Sequence, residues 1–365
     1  MTAGSFPDAA RMREALRLAR RGAGRTSPNP AVGALVVRAG RVVGRGYHKA
    51  AGLPHAEVEA LRDAGAAARG ADLYVTLEPC DHQGRTGPCT GAILEAGIAR
   101  VAYAMEDPNP KVSGRGAKRL REAGLDVRGG LLAEEAAEIN RGYCRWIVTG
   151  RPFVTLKLAL SLDGQIAAAG GESRWVTGEK ARDIVHRLRS VSDAVLVGGE
   201  TARRDDPLLT SHGRGGRNPK RLVLTSRPAD LVRNRLFEED GGEVIVACPS
   251  RVPKRETEAV RALGARVLRL PSRAGRIRAD DLLEALGGDG ITSLLVEGGG
   301  KTAGWLTEEG AVDRYVVFVA PLLLGEGIRA ISGWGCRAPS SGRRLAFTDV
   351  RRVGSDILLV AEPTG

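Results

Sequence analysis

Residues 53–93, LPHAEVEALRDAGAAARGADLYVTLEPCDHQGRTGPCTGAI, carry the alternation that sets the fold. Apolar residues at helical spacing predict a helix within 53–65, DLYVTLEP has the β-branched and aromatic run of a strand, and TGAILEAG starts a second helix. The alternation continues on both sides. Upstream, residues 8–21 read as a helix capped by Asp8 with Met12, Ala15, Leu16 and Ala19 on one face, and AVGALVVRAGRVVGRGY reads as two strands about a turn at Ala39 and Gly40. Downstream come a strand RVAYAM, a helix GRGAKRLREAG and a strand LDVRGG. Strands separated by helices call for a layered α/β sheet.

A second pattern begins near Arg151 and Pro152, with the strand FVTLKLALSL and the helix TGEKARDIVHRLRS, which keeps Ala181, Ile184, Val185 and Leu188 on one stripe. Strands AVLVGG, RLVLTS, EVIVAC, SLLVEGG and RYVVFVAP follow, and RLAFTDVRR with DILLVAE reads as an antiparallel ending. The boundary falls at residues 147–152, giving domains 1–148 and 149–365, the second with a mixed sheet. At 365 residues the chain is long enough for two cores.

Composition narrows the function. No stretch approaches eighteen apolar residues, and the opening MTAGSFPDAARMREALRLAR lacks the basic-then-apolar order of a secretory leader, so a cytoplasmic protein without membrane association is expected. The cysteines, 80, 89, 144, 248 and 336, are odd in number and suggest reduced thiols. The net charge of +12 comes from 55 basic residues, only eight of them lysine, scattered without a basic tail. Aromatic content of 4% is too low to supply stacking platforms, so anionic small molecules fit better than nucleic acid.

The chemistry gathers in the opening stretch. Zinc held by three protein ligands keeps one position open for water, and His55, Cys80 and Cys89 supply that count. Each cysteine follows a proline and precedes an expected helical turn, whose free N–H groups favour a thiolate. Glu57 is too close in sequence to His55 to bind the same ion and is suited to carrying protons. The alternative is a structural four-ligand zinc site completed by His82, but the His-x-Glu pair would then have no purpose; His82 is read instead as a loop residue contacting substrate. Asn29, between two prolines, is a turn former or faces the substrate.

PHAEVEAL, TLEPC and a second cysteine are similar to the cytidine deaminase superfamily, although eight residues separate Cys80 from Cys89 where most members have two. With PNPAVGALVV, GYHKAAGLPHAEVEAL, YVTLEPCDHQGRTGPC and EDPNPKVSGRG, the first half resembles the deaminase half of the bifunctional riboflavin biosynthesis deaminase/reductases. In the second half TLKLALSLDG, GESRWVTGEKARDIVHRLRS, TARRDDPLLT and LLVEGGGKTAGWL resemble the reductase half, whose fold is similar to dihydrofolate reductase. The implied architecture is an N-terminal cytidine-deaminase-like α/β/α domain and a C-terminal dihydrofolate-reductase-like α/β domain.

The resemblance implies zinc-dependent deamination of 2,5-diamino-6-ribosylamino-4(3H)-pyrimidinone 5′-phosphate, then NADPH-dependent reduction of the ribosyl group of the product, by a homo-oligomer. It places Asn29 against the pyrimidine and makes Glu57 the proton carrier. It puts Ala159, Trp175, Thr201, Asp205 and the turn Gly299, Gly300, Lys301, Thr302, Ala303, Gly304, Trp305 on NADPH, and Ser173, Arg189, Leu209 and Glu297 on the substrate. Lys157 interrupts an apolar strand, as an edge residue or a functional cation, and is the candidate for assisting the reduction. EGGGKT is not a P-loop, because Leu295 stands where its first glycine belongs. Gly298, Gly300 and Ala303 fit a relaxed dinucleotide turn. After DDPLLT the family usually has an arginine two residues on, where this chain has Ser211 and His212; either His212 binds the 5′-phosphate or Arg214 has taken over. A deaminase of RNA bases would need a short Cys-x-x-Cys spacing and a basic aromatic groove, and a zinc-stabilised binding module would unfold without its metal.

Overall fold

The computed structural model describes residues 6–82, 87–110, 112–213, 217–237 and 241–364. The chain divides into two compact units, Met1–Gly150 and Arg151–Gly365.

In the first unit β1 (Gly33–Arg38), β2 (Arg41–Tyr47), β3 (Asp72–Leu77), β4 (Arg100–Met105) and β5 (Asp126–Arg128) form one sheet in the order β2-β1-β3-β4-β5. β1 runs antiparallel to β2 and β3, while β3, β4 and β5 are parallel. Ala39 and Gly40 both adopt positive φ, 50° and 74°, the geometry of a two-residue hairpin. Among the described residues six α-helices accompany the sheet: α1 (Ala9–Gly22), α2 (Ala56–Ala64), α3 (Cys89–Glu95), α4 (Arg115–Glu122), α5 (Ala133–Ile139) and α6 (Arg141–Thr149). Asp8 caps α1 by accepting from the Ala10 amide at 2.8 Å, and Met12, Ala15, Leu16 and Ala19 are its buried stripe.

Three glycines set the layers. A methyl on Gly33 would strike the Ala15 carbonyl of α1, and one on Gly44 or Gly46 would strike the Ala60 or Ala56 carbonyl of α2. Gly46 pairs with Ala34, the neighbour of Gly33, and side chains alternate faces along a strand. Consequently α1 and α2 cover opposite faces of the sheet, and α2 lies almost backbone to backbone on β2.

The second unit is built on nine strands in the order β11-β10-β9-β8-β12-β6-β13-β16-β15. They are β6 (Phe153–Ser161), β8 (Ala194–Gly198), β9 (Lys220–Leu224), β10 (Val244–Pro249), β11 (Arg266–Leu270), β12 (Ser293–Val296), β13 (Arg314–Ala320), β15 (Leu345–Val353) and β16 (Asp356–Pro363); β7 (Gln165–Ala168) and β14 (Gly327–Arg329) form a separate ribbon. All neighbours are parallel except at β16, antiparallel to both β13 and β15, so the sheet is mixed. Both faces are packed: Leu196, Ile245 and Leu294 enter one core while Val195, Val246 and Leu295 enter the other. The helices are α7 (Glu179–Val191), α8 (Gly199–Asp205), α9 (Lys254–Arg261), α10 (Ala279–Gly288) and α11 (Gly300–Glu308). No helix among the described residues is long and apolar enough to cross a membrane.

Candidate active sites

In the first unit His55 is the residue immediately before α2, Glu57 lies in the first turn, Cys80 leaves β3 and Cys89 opens α3. His55 Nδ1 is 3.2 Å from Cys89 Sγ and 3.6 Å from Cys80 Sγ, and the three ligand atoms lie within 4.8 Å of one another. Tetrahedral zinc with ordinary Zn–S and Zn–N bonds separates neighbouring ligands by roughly 3.5–3.8 Å, so this set fits that ion. Among the described residues no helix follows Cys80 directly, where a helical turn was expected after each cysteine. Its sulfur instead receives the Cys89 amide, at the head of α3, at 3.4 Å. The bond with Cys89, assisted by His55, lowers the pKa of the Cys80 thiol and favours its thiolate.

Glu57 is 4% exposed, and burial, then the Cys80 charge, raises its pKa. A buried carboxyl whose pKa is raised holds a proton more readily than an exposed one, which suits proton transfer. His82 is exposed and lies outside the metal cluster found among the described residues, so the four-ligand alternative finds no support there. Asn29 Nδ2 is 3.1 Å from His48 Nε2, and His48 Nδ1 is 3.1 Å from the Pro54 carbonyl. With Nδ1 donating to Pro54, Nε2 accepts from Asn29 and fixes which way its amide points.

His48 was not legible as a site residue. It is buried and its ring meets that of His55 edge-on at 5.4 Å, and the seven-residue spacing across GYHKAAGLPH was the one available signal. Glu78 was missed as well: buried, it accepts from the Gly114 amide at 2.9 Å and the Ala117 amide at 3.0 Å, capping α4 from two residues before Cys80.

The second unit holds a cavity of about 580 Å³ beyond the carboxyl ends of β8 and β12, beside β6, the position expected for a ligand on a parallel sheet. Lys157 and Ala159 line it from β6. Because β6 lies between β12 and β13, Lys157 is no edge residue, and the reading as a functional cation remains. Burial lowers its pKa, with Glu297 opposing and Arg189 reinforcing the effect.

Arg189 and Glu297 line the cavity as a two-pronged pair, at 2.6 and 2.9 Å, and Arg189 also donates to the Thr210 carbonyl at 3.0 Å. Both were expected on substrate; their strongest bonds are to each other. Ser173, Leu209 and His212 line the same cavity. Arg214, the alternative phosphate ligand, lies outside the described residues.

Trp175 stands at the cavity, 70% exposed, with the Arg182 guanidinium 4.5 Å from its ring centre. Asp205 also lines the cavity, and burial raises its pKa. Thr201 accepts the Gly299 amide at 3.1 Å, and Gly299, Gly300, Lys301 and Thr302 complete that wall. The rest of the expected turn departs from the cavity. Ala303 and Trp305 enter the core, where Trp305 donates to Glu309 at 2.7 Å, and Gly304 packs under Ser332. A methyl on Gly300 would meet the Arg329 carbonyl, so close chain packing alone accounts for glycine at 300 and 304. A methyl on Gly299 would meet the Thr201 hydroxyl at 3.1 Å and, among the described residues, no backbone within 4 Å, so it is less hemmed in than Gly300 or Gly304.

The family model "Cytidine and deoxycytidylate deaminase zinc-binding region" matches residues 7–105, and "RibD C-terminal domain" matches residues 152–359. The chain is 41% identical over 362 residues to the riboflavin biosynthesis protein RibD of Escherichia coli, covering 95% of this chain and 97% of that one. Among solved structures it superposes on Acinetobacter baumannii RibD with a TM-score of 0.88 at 37% identity, over 98% of this chain and 99% of the other. It superposes on the diaminohydroxyphosphoribosylaminopyrimidine deaminase/5-amino-6-(5-phosphoribosylamino)uracil reductase of Thermotoga maritima with a TM-score of 0.86 at 36% identity, over 98% of both chains.

Proposed function

The chain belongs to the RibD family of bifunctional riboflavin biosynthesis deaminase/reductases, and from that premise we propose how its own residues divide the two reactions. The enzyme deaminates 2,5-diamino-6-ribosylamino-4(3H)-pyrimidinone 5′-phosphate hydrolytically with zinc and reduces the ribosyl group of 5-amino-6-(5-phosphoribosylamino)uracil with NADPH. Deamination belongs to residues 1–148 and reduction to residues 149–365.

In the first half, His55, Cys80 and Cys89 hold the zinc. When bound, the metal makes water acidic enough to attack the ring near neutral pH. Glu57 takes a proton from the attacking water on its carboxylate and returns it to the departing ammonia. His48 keeps the Asn29 amide in one orientation toward the pyrimidine, and His82 reaches substrate from its loop.

In the second half, Gly299, Gly300, Lys301 and Thr302, with Ala159, Trp175, Thr201 and Asp205, hold NADPH, which supplies the hydride. Ala303, Gly304 and Trp305 support this wall from behind. Lys157, destabilised as a cation by burial, gives its proton or a hydrogen bond to the opened sugar. The Arg189–Glu297 pair and Ser173 position that sugar, Leu209 packs against the ring, and His212 takes the phosphate. Subunits associate as homo-oligomers, acting in the cytoplasm on small phosphorylated pyrimidines.

The observation that carries the first reaction is the convergence of His55, Cys80 and Cys89 beside buried Glu57. Incubating the protein with the diaminopyrimidinone phosphate, with and without NADPH, tests both. Ammonia release without NADPH, and loss of NADPH absorbance after deamination, are the expected results; absence of either removes that half of the assignment.

A further inference from the structure

One face of α7 looks into the reductase cavity: Arg182, Val185, His186 and Arg189, spaced as successive turns of a helix, all line it. Across from this face the loop after Leu209 brings in His212, whose ring centre is 4.5 Å from that of His186 at an interplanar angle of 60°. His212 takes a left-handed backbone, φ 48°, and its neighbour Ser211 is pinned by two bonds to Asn218 Oδ1 at 2.9 and 3.0 Å. The backbone that carries the second imidazole is therefore anchored beside α7.

His186 Nδ1 is buried and has no hydrogen-bond partner among the described residues. A buried polar atom without a partner is costly, and a group entering the cavity can satisfy it. The charges around it point to an anion. Arg182 and Arg189 share its helix face, and Lys157 lines the cavity from β6. Of the acids that act on His186, Glu297 is bonded through both oxygens to Arg189, and Asp183 lies on the preceding turn of α7. We propose that His186 and His212 together form a protonation-dependent site for the phosphate monoester of the reductase substrate, which binds with uptake of one proton onto the imidazole pair.

This rests on the reductase reading of the cavity and adds to it a second histidine and a proton. Burial, then Arg189 and His212, hold the His186 pKa down to about 4, so the ring is neutral at pH 7 before substrate arrives. A phosphate dianion beside it favours the charged ring. Because binding takes up a proton, affinity falls as pH rises.

The test is the KM for 5-amino-6-(5-phosphoribosylamino)uracil and for its dephosphorylated nucleoside, from about pH 6 to about pH 9, spanning the imidazole range. For wild type, KM of the phosphorylated substrate is expected to rise with pH by up to about tenfold per pH unit between the pKa of the free imidazole pair and the higher pKa that bound phosphate gives it, and to level off above that, with no matching rise for the nucleoside. His212→Arg should keep a low KM that no longer climbs as steeply, because its charge is permanent, and H186Q/H212R should flatten the profile. The phosphate titrates alike in every variant, so their difference isolates the histidines. A pH-independent KM in wild type, or a rise that survives in the double variant, overturns the proposal. Failure of wild type to consume NADPH with either substrate removes the reductase reading itself, and the proposal with it.

Discussion

Burial turns ordinary side chains to particular uses here, and Cys80 is the clearest case. Its sulfur takes an amide from Cys89 and faces His55 Nδ1, so serine in its place loses the soft ligand and leaves two. Metal analysis of purified Cys80→Ser should find zinc well below one per chain; undiminished zinc would refute the ligand set. Glu297 shows the reverse dependence. Its carboxylate neutralises Arg189, whose side chain is only 11% exposed, so Glu297→Gln strands a nearly buried cation. A loss of about 3 kcal/mol is expected, seen as a lower urea midpoint for the second unit. The zinc ligands were legible because the chain supplies them close together, on a helix start and beside two prolines. Arg189 and Glu297 were expected, through the resemblance, as two separate substrate contacts and not as a pair, since 108 residues separate partners that meet only in the fold.

Elements take their positions from contacts that leave little trace in the hydrophobic pattern. Gly44 and Gly46 let α2 lie against β2, and that approach sets where His55 and Glu57 stand relative to the cysteines. Gly46→Val should push α2 off the sheet at roughly 1–3 kcal/mol of overpacking, and with it abolish zinc retention after dialysis while NADPH-dependent reduction persists. Retained zinc in a folded Gly46→Val protein would show that α2 is placed by something else. The alternation in VVGRGY was read as a strand, but why its alternate residues are glycines appears only when α2 is seen. α5 and α6 escaped the sequence reading for a different reason. α6 has no fully buried residue, and the junction with α5 is held by Asn140, which exchanges bonds with Ala31 at 2.7 and 3.0 Å, a polar anchor without hydrophobic period. Strands buried on both faces, such as β8 and β12, were the easiest to recognise, because an unbroken apolar run needs no knowledge of its partner.

At the scale of the molecule the residues proposed for deamination precede residue 90 and those proposed for reduction follow residue 156, so single substitutions should separate the activities. Glu57→Gln should lower deamination by about a hundredfold or more while leaving NADPH oxidation with the deaminated pyrimidinedione at its normal rate. Lys157→Ala should release ammonia without consuming NADPH. Loss of both reactions in either folded variant would mean that the sites are composite. The mixed sheet was readable from the alternation of elements, and the order of the two halves only through the resemblance of their motifs; strand order was not, because parallel neighbours are chosen by the whole sheet. That order has a consequence in time. β6, made at residues 153–161, has β12 and β13 as its only sheet neighbours, and these leave the ribosome more than 130 residues later. At a synthesis rate of roughly 5–20 residues per second, Val154, Leu156 and Leu158 wait on the order of ten seconds without a partner strand. Nascent chains arrested at residue 290 should therefore show a protease-resistant first unit and a protease-sensitive second one, and the interval between those two states is when this enzyme is most exposed to chaperones and to aggregation.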